Sequence, residues 1–209
     1  MWVIRFSPYG MFGTNSFLAV SDKKNAVLID APGNNTEIIE TLSRENLTLR
    51  YILLTHAHCD HIEGLTELRE KTGAEVVIHK NDRNALNNSY YNLTEFFGLP
   101  SVNYGGSVKE VSDGDIIRLD GTEIKVIHTP GHTPGSIMYM MEKCVFSGDT
   151  IFEGSIGRTD MPGGDISVMR ESLRKIAKIA AEHGDYTMYP GHGEITTFKH
   201  ELEYNPYLK

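Results

Sequence analysis

Apolar residues in the first part of the chain form short extended runs that give way to helical spacing. In chain order they predict strands at residues 2–7, 16–20 and 26–29, a helix around 38–42, a strand at 51–54, a helix over 65–71 and a strand at 76–78. Turns are expected at Pro8, Gly10, Gly13 and residues 21–23. Residues 32–35 supply a turn and capping candidates for the first helix, and Gly73 ends the second.

Strands return in the second part of the chain and are followed by one amphipathic helix. The predicted strands are residues 108–111, 115–119, 123–128, 136–141, 144–146 and, as the last one, 186–189. Met169, Leu173, Ile176 and Ala180 mark one face of the helix, which Asp165 can cap and Gly184 can end. Each half therefore runs from strands into helices. This predicts an α/β (α+β) fold, a four-layer αββα sandwich formed by a single domain over residues 1–209.

Composition and charge narrow the class of protein. Of 209 residues, 40% are hydrophobic and 23% are charged, as in soluble globular proteins. The 28 acidic residues outnumber the 20 lysines and arginines, and the formal net charge of −8 disfavours nucleic acid. Two cysteines indicate a reducing compartment, and no apolar run approaches the roughly twenty residues of a membrane span. We expect a cytoplasmic protein with no membrane or nucleic-acid partner, and its oligomeric state stays open.

A dense group of potential metal ligands follows the predicted strand at residues 51–54. His56, His58, Asp60 and His61 lie within a single run of six residues. Since alternate residues of an extended segment point the same way, His56 and His58 can bind one ion. Asp60 and His61, at the turn into the next helix, can face a second position beside it. The sequence therefore predicts a site with room for two divalent ions.

Three more candidate ligands lie in glycine-rich turns after predicted strands, namely His132, Asp149 and His192. Glycine lets the backbone turn sharply and brings a side chain close to an ion. Without a metal, this many imidazoles and carboxylates at one edge would be costly to desolvate, so a metal role is favoured over a structural one. Such donors suit zinc, which we expect, and also iron or manganese.

The order His-x-His-x-Asp-His, then His, Asp and His, resembles the metallo-β-lactamase superfamily over nearly the whole chain. The resemblance implies an αββα sandwich with the active site along one edge of the two sheets. It implies one ion held by His56, His58 and His132, a second held by Asp60, His61 and His192, and Asp149 as a bridge between them. Asp30, at a strand end, resembles the acid that supports these ligands from behind, with an ordinary cap as its alternative.

Residues around Asp149 indicate which branch of the superfamily the chain resembles. True β-lactamases carry Cys or Ser at that position, so antibiotic hydrolysis is disfavoured. Residues 148–152 and 157–160 are similar to those of glyoxalase II and its short bacterial relatives, which cleave thioesters. Arg158 matches a basic residue near the glutathione there, whereas Asp160 replaces a tyrosine. The chain ends seventeen residues after His192, which implies a short form without the C-terminal helical domain of a full-length glyoxalase II.

The expected reaction is hydrolysis of a small-molecule thioester, or a related small ester, by a hydroxide that bridges two metal ions. Metal coordination lowers the pKa of water to about 7, so no catalytic Ser or Cys is needed. Asp60 is the candidate catalytic residue that holds this hydroxide in line. Two divalent ions, two carboxylates and one hydroxide leave the site at about +1, which can attract an anionic substrate. The aromatic segment 89–97 is a candidate wall of the substrate pocket.

Three other functions compete with this hypothesis. Residues 157–160 also resemble a run in the sulfur (persulfide) dioxygenases, which use one iron on the same fold. A nuclease of the superfamily would need a basic groove and extra domains, and neither is visible in the sequence. A metal store would need every coordination position closed by protein. Cys59, among the ligands, is a candidate redox sensor, with a small packing residue as the alternative.

Overall fold

Two six-stranded sheets organise the chain, whose computed structural model describes residues 1–6, 10 and 12–209. The N-terminal sheet follows chain order: β1 (Trp2–Arg5), β2 (Phe17–Val20), β3 (Asn25–Ile29), β4 (Thr48–Leu53), β5 (Glu75–His79) and β6 (Val108–Val111). Its first three strands are antiparallel, and the pairs from β3 to β6 are parallel. Ser7, the predicted end of the first strand, and the turn residue Pro8 lie outside the described residues.

The C-terminal sheet contains β7 (Ile116–Leu119), β8 (Thr122–His128), β9 (Ile137–Met141), β10 (Cys144–Gly148), β13 (Thr187–Pro190) and β14 (Thr196–Thr197). Its spatial order is β14-β13-β10-β9-β8-β7, in which only β10 and β13 run parallel. A small separate hairpin joins β11 (Ile151–Phe152) to β12 (Ser155–Ile156). The β9–β10 hairpin expected from the sequence is confirmed, and Glu142 in its turn has a φ of 50°.

Helices cover the outer face of each sheet. The α-helices are α1 (Thr36–Arg44), α2 (Cys59–Ile62), α3 (Leu65–Thr72), α4 (Ile166–Glu182) and α5 (Phe198–Tyr204), with 3-10 turns at Arg83–Asn87 and Pro206–Leu208. Apolar residues of α1 to α3 pack on the N-terminal sheet, and those of α4 and α5 pack on the C-terminal sheet. A third apolar cluster lies between the two sheets. The predicted αββα sandwich is therefore confirmed.

Strand β3 shows how the sequence pattern creates these layers. Ala26 and Leu28 pack towards the helices, whereas Val27 and Ile29 pack towards the other sheet. Because both faces are covered, the strand is a continuous apolar run without polar alternation. The opposite sheet contributes Tyr139 and Phe146 to the same central cluster, and Phe146 lies 5.9 Å from Phe17 between ring centroids.

Three sequence expectations about helix ends and strands have mixed outcomes. Asp165 caps α4 as predicted, because its side chain accepts hydrogen bonds from the backbone N–H groups of Ser167 and Val168. The capping expectation for residues 32–35 is wrong. Asn35 occupies the position before α1, but its side-chain amide donates to Gly64 O and to Glu67. Residues 186–189 are also not the last strand, since β14 and α5 follow them.

A stacked histidine pair at the end of β5 makes stability depend on pH. The ring of His79 lies 3.9 Å from that of His128, and its Nδ1 accepts a hydrogen bond from the Asn81 N–H. Burial, followed by the charge of His128, lowers the pKa of His79 to about 4. The unfolded chain, with a histidine pKa of about 6.5, then binds the proton more readily than the folded one. Stability from this site is complete above about pH 6.5 and is lost as the pH falls towards 4.

We expect His79→Gln to flatten this part of the pH profile. Free energies of unfolding, measured by urea denaturation of the metal-free proteins between pH 4 and 7, should converge as the pH falls. Between pH 7 and pH 4, the difference in free energy of unfolding between the unmodified protein and the variant should shrink by on the order of 1–3 kcal/mol, because the variant lacks the imidazole that takes up a proton on unfolding. Parallel profiles for the two proteins would contradict this role of His79.

Candidate metal centre

The seven predicted ligands lie together at one edge of the two sheets. His56, His58, Asp60 and His61 follow β4 and enter α2, so they belong to the N-terminal sheet. The C-terminal sheet contributes His132 from the loop between β8 and β9, Asp149 directly after β10, and His192 after β13. The ends of strands from both sheets therefore form one cluster.

The cluster divides into two trios. In the first, His56, His58 and His132 are buried and offer ligand atoms within 4.8 Å of one another, with His56 Nε2 3.1 Å from His58 Nδ1. In the second, Asp60 Oδ2 lies 3.5 Å from His61 Nε2 and 3.3 Å from His192 Nε2. These are the two groups that the sequence resemblance implied.

Asp149 lies between the trios. Its Oδ2 is 3.4 Å from His132 Nε2 and 3.3 Å from His192 Nε2, and its Oδ1 is 3.4 Å from His61 Nε2. The carboxylate therefore faces one member of the first trio and two of the second. This is the position from which one carboxylate can bridge two ions.

Several of these atoms have no hydrogen-bond partner among the described residues, although they are fully buried. They are His58 Nε2, His61 Nε2, His132 Nε2 and Asp149 Oδ1. Burying such atoms without a partner is costly, and a bound cation would satisfy those that point into the cluster. Nitrogen and oxygen donors of this kind suit divalent transition metals. The cluster therefore fits a metal ion.

Hydrogen bonds behind the cluster orient its imidazoles. His132 Nδ1 donates to Arg158 O at 2.7 Å, and His192 Nδ1 donates to Phe12 O at 3.0 Å. Because a carbonyl oxygen can only accept, these bonds place the proton on Nδ1 and direct the Nε2 lone pair into the cluster. Such partners are typical of metal-binding histidines.

Asp30 supports the cluster from behind His61. Its Oδ2 lies 2.8 Å from His61 Nδ1, and its carboxylate accepts hydrogen bonds from the Thr55 N–H at 2.7 Å and the Thr55 hydroxyl at 2.8 Å. Asp30 has a φ of 58°, in the left-handed region, at the turn after β3. The bonds to Thr55 hold the acid in this conformation and so fix the ring of His61.

Two histidines of the first trio and both histidines of the second have pKa values shifted in opposite directions. Burial, reinforced by the neighbouring histidines, lowers the pKa of His56 and His58 well below the usual range, which keeps both rings neutral as metal binding requires. Burial also acts to lower the pKa of His61, but the carboxylates of Asp60, Asp30 and Asp149 outweigh it and raise that pKa. Against the opposing effect of burial, the carboxylates of Asp149 and Asp60 raise the pKa of His192 to about 10, so that its Nε2 holds a proton whose place a metal ion would take. The second trio therefore attracts positive charge.

Two polar residues near the cluster, Thr14 and Asp82, were not predicted from the sequence. Thr14 donates its hydroxyl to Asp60 Oδ2 at 2.7 Å. Asp82 is fully buried and joins the loops that carry His58 and His132, because it accepts from the Ala57 N–H, the Thr133 hydroxyl and the Gly135 N–H. Burial raises the pKa of Asp82 against the effect of these bonds. No motif marks either residue, since the partners lie 25 to 53 positions away in the chain.

The surroundings of Arg158 and Cys59 do not favour the roles considered for them from the sequence, a glutathione contact and a redox sensor. The Arg158 guanidinium is largely exposed and forms a two-pronged ion pair with Asp160, at 2.7 and 2.8 Å. Its charge is therefore already paired, and its contact with the cluster is the hydrogen bond that its carbonyl oxygen accepts from His132. Burial, followed by the charge of Asp60, raises the pKa of the Cys59 thiol to about 11, which disfavours the reactive thiolate that a redox sensor needs.

The fold and this cluster define a metal-binding hydrolase. The sequence profile of the metallo-β-lactamase superfamily matches residues 9–192, and the chain belongs to that superfamily. It is 34% identical over 208 residues to hydroxyacylglutathione hydrolase GloC of Haemophilus influenzae, covering 98% of this chain and 97% of that one.

Solved structures give the same picture of the fold. BLEG-1 B3 metallo-β-lactamase is 33% identical, with a TM-score of 0.92 and full coverage of both chains. TTHA1623 in a di-iron-bound form is 30% identical, with a TM-score of 0.86, and the match covers 98% of this chain and all of that one. Within the described residues, every helix is too short or too polar to cross a membrane.

Close packing at Gly191 gives a direct test of the cluster. A Cβ atom there would overlap Asp149 Oδ1 and lie 2.8 Å from His61 Cε1. We expect Gly191→Ala to displace both side chains and weaken metal binding about tenfold or more, the range seen when groups around a site are disturbed. The measurement is metal content by mass spectrometry after dialysis against a series of chelator concentrations.

Gly184→Ala is the matched control, because an added Cβ would meet no atom closer than 3.7 Å. It should retain metal as the unmodified protein does. Equal metal retention by the two variants would show that Gly191 is not required for the site.

Proposed function

We propose that this protein is a metal-dependent hydrolase that cleaves a thioester, of the hydroxyacylglutathione type in the broad sense, or a related small ester. The observation that carries the proposal is the pair of trios joined by Asp149, a full set of donors for two ions at an open edge of the fold. The similarity to hydroxyacylglutathione hydrolase GloC supports the thioester. A single domain acting on a small molecule in the cytoplasm is part of this proposal.

The proposed cofactor is a pair of divalent metal ions, held by His56, His58 and His132 and by Asp60, His61 and His192, with Asp149 shared between them. Zinc is our first candidate, and iron is supported by the similar structure described as di-iron-bound. When bound, such ions supply a nucleophilic water near neutral pH and polarise the scissile carbonyl.

Asp60 is placed to orient the attacking water. Thr14, His61 and His192 all approach its Oδ2, and no described residue donates to Oδ1, which can accept a hydrogen bond from that water. Its side chain is 19% exposed and that of His192 is 25% exposed, whereas the first trio is almost closed to solvent. Substrate can therefore reach the cluster from the side of Asp60 and His192.

A protein nucleophile is not needed at this site, and the nearby serines are engaged elsewhere. Ser147 is buried and donates to Ile151 O at 2.9 Å, and Ser136 is buried against Thr133. A thiolate leaving group requires little protonation, because the pKa of a thiol is far lower than that of an alcohol. Thioesters therefore suit this site, because their cleavage does not require a proton donor at the leaving group.

A mononuclear iron dioxygenase is the second candidate. His56, His61 and Asp149 also form a compact group of two imidazoles and one carboxylate, the donor set of many non-haem iron oxygenases. Residues 157–160 add the sequence resemblance to the persulfide dioxygenases. The second trio favours hydrolysis, because a mononuclear site leaves Asp60 and His192 without a ligand role.

Metal analysis and a substrate panel separate these functions. The purified protein is assayed for metal by mass spectrometry and tested on thioesters, lactones, phosphodiesters, persulfides and, because of the similarity to BLEG-1, a β-lactam. We expect two ions per chain and hydrolysis of thioesters. One iron per chain with oxygen consumption on persulfides would replace the hydrolase by the dioxygenase, and inactivity of a fully loaded protein on every ester would refute hydrolysis.

Asp60→Asn tests the orienting role. At full metal loading we expect kcat to fall by about 100-fold or more, with a much smaller change in KM, because a contact that orients the attacking water acts in the transition state. Asp185→Asn, at an exposed ion pair with Lys143, is the control and should leave both constants unchanged. An unchanged kcat in Asp60→Asn would remove Asp60 from the mechanism.

A further inference from the structure

A cavity of about 520 Å³ opens directly beside Asp60. Its lining includes Phe12, Gly33, Asp60, Glu63, Leu99 and Val102. Since Asp60 belongs both to this wall and to the cluster, a substrate bound at the cluster would extend into the cavity. The chemistry of the wall therefore bears on which substrates fit.

Most of the wall is apolar or uncharged. Phe12, Leu99 and Val102 supply apolar surface, and the ring of Phe12 is held by Phe97 at a centroid distance of 4.7 Å. The remaining polar lining residues are mostly hydroxyl and amide side chains, such as Thr94 and Asn103. A wall of this composition favours an alkyl or amide group of a ligand.

The charged residues of the described lining are Asp60 and Glu63, and both are acidic. Metal ions bound at the second trio would compensate Asp60, which leaves Glu63 as the uncompensated charge. Its carboxylate lies over the backbone of Gly33, where an added Cβ would be only 2.7 Å from Oε2. None of the four undescribed residues is a lysine or arginine.

The arginine that the sequence resemblance matches to a glutathione contact is also occupied. Arg158 would have to exchange its two hydrogen bonds with Asp160 for a substrate carboxylate. A glutathione thioester carries two carboxylates and one ammonium group, so its net charge is −1. Such a ligand would bring its net negative charge beside the Glu63 carboxylate, and the Arg158 guanidinium that could receive it is already paired with Asp160.

We infer that the cavity beside Asp60 binds an uncharged part of the substrate, so that the preferred substrates are thioesters of uncharged thiols, with Glu63 as the residue that disfavours anions. This inference rests on the proposed hydrolase function: it keeps the thioester and replaces the glutathione-type thiol by an uncharged one. It also opposes the attraction of anions expected from the overall charge of the metal cluster.

Binding of two non-hydrolysable thioethers tests the inference. S-hexyl-N-acetylcysteamine is uncharged, and S-hexylglutathione has a net charge of −1. Calorimetric dissociation constants for the metal-loaded and metal-free protein should show about tenfold or greater preference for the uncharged compound, the effect of one nearby charge at a partly exposed site. Failure of the uncharged thioether to bind, or a preference for the anion, would overturn the inference.

Variants of Glu63 assign the effect to that residue. We expect Glu63→Gln to reduce the preference about tenfold, because it removes that one charge, and Glu63→Lys to reverse it in favour of the anion. Glu70→Gln, on the exposed side of α3, is the matched control and should behave as the unmodified protein. A ratio unaffected by Glu63→Lys would also overturn the inference.

The thioethers contain no scissile carbonyl, so their binding does not depend on catalysis. A protein that keeps the preference but hydrolyses no thioester would contradict the proposed function alone. A protein that hydrolyses thioesters but binds both thioethers equally would contradict the cavity assignment alone.

Discussion

A buried carboxylate must be surrounded by compensating charge, and Asp149 imposes that requirement on both sheets. Desolvation of a lone carboxylate costs several kcal/mol, so its position is tenable only with close partners. His61, His132 and His192 all lie within 3.4 Å of it, one from the N-terminal sheet and two from the C-terminal sheet. The two sheets must therefore stay docked at this edge for Asp149 to keep its three imidazole partners.

Much of the fold was predictable because local periodicity and layer position agree. Strand β3 is apolar throughout, as a strand covered on both faces must be, and α4 has one apolar face and an aspartate at its start. The failures have tertiary causes. Asn35 has the right residue type for a cap, but its amide is taken by Gly64 and Glu67. Strand β14 is two residues long and depends on pairing with β13, which no local pattern reveals.

The candidate ligands were predictable for a different reason. Imidazole and carboxylate groups are potential metal ligands in any surroundings, so Asp149 and the histidines could be named from their residue types and spacing before any contact was known. Asp82 and Thr14 could not, because a buried acid and a threonine gain their role only from partners distant in the chain. The cavity is likewise invisible in sequence, since it combines Phe12, α2 and residues 99–103. Arg158 shows the limit of resemblance, because its guanidinium is paired with Asp160 and it is its carbonyl oxygen that contacts His132.

Both trios combine ligands from the two halves of the chain, and this affects what happens when the protein is cleaved or partly unfolded. Each trio takes two donors from the N-terminal half and one from the C-terminal half, His132 or His192. A half-molecule folded by itself therefore offers at most two donors to either ion. An ion can be retained only while the sheets stay docked, so a chain that is nicked or partly unfolded would release its metal as its halves part. Damaged molecules would thus lose their metal and become inactive, rather than persist as poorly selective hydrolases.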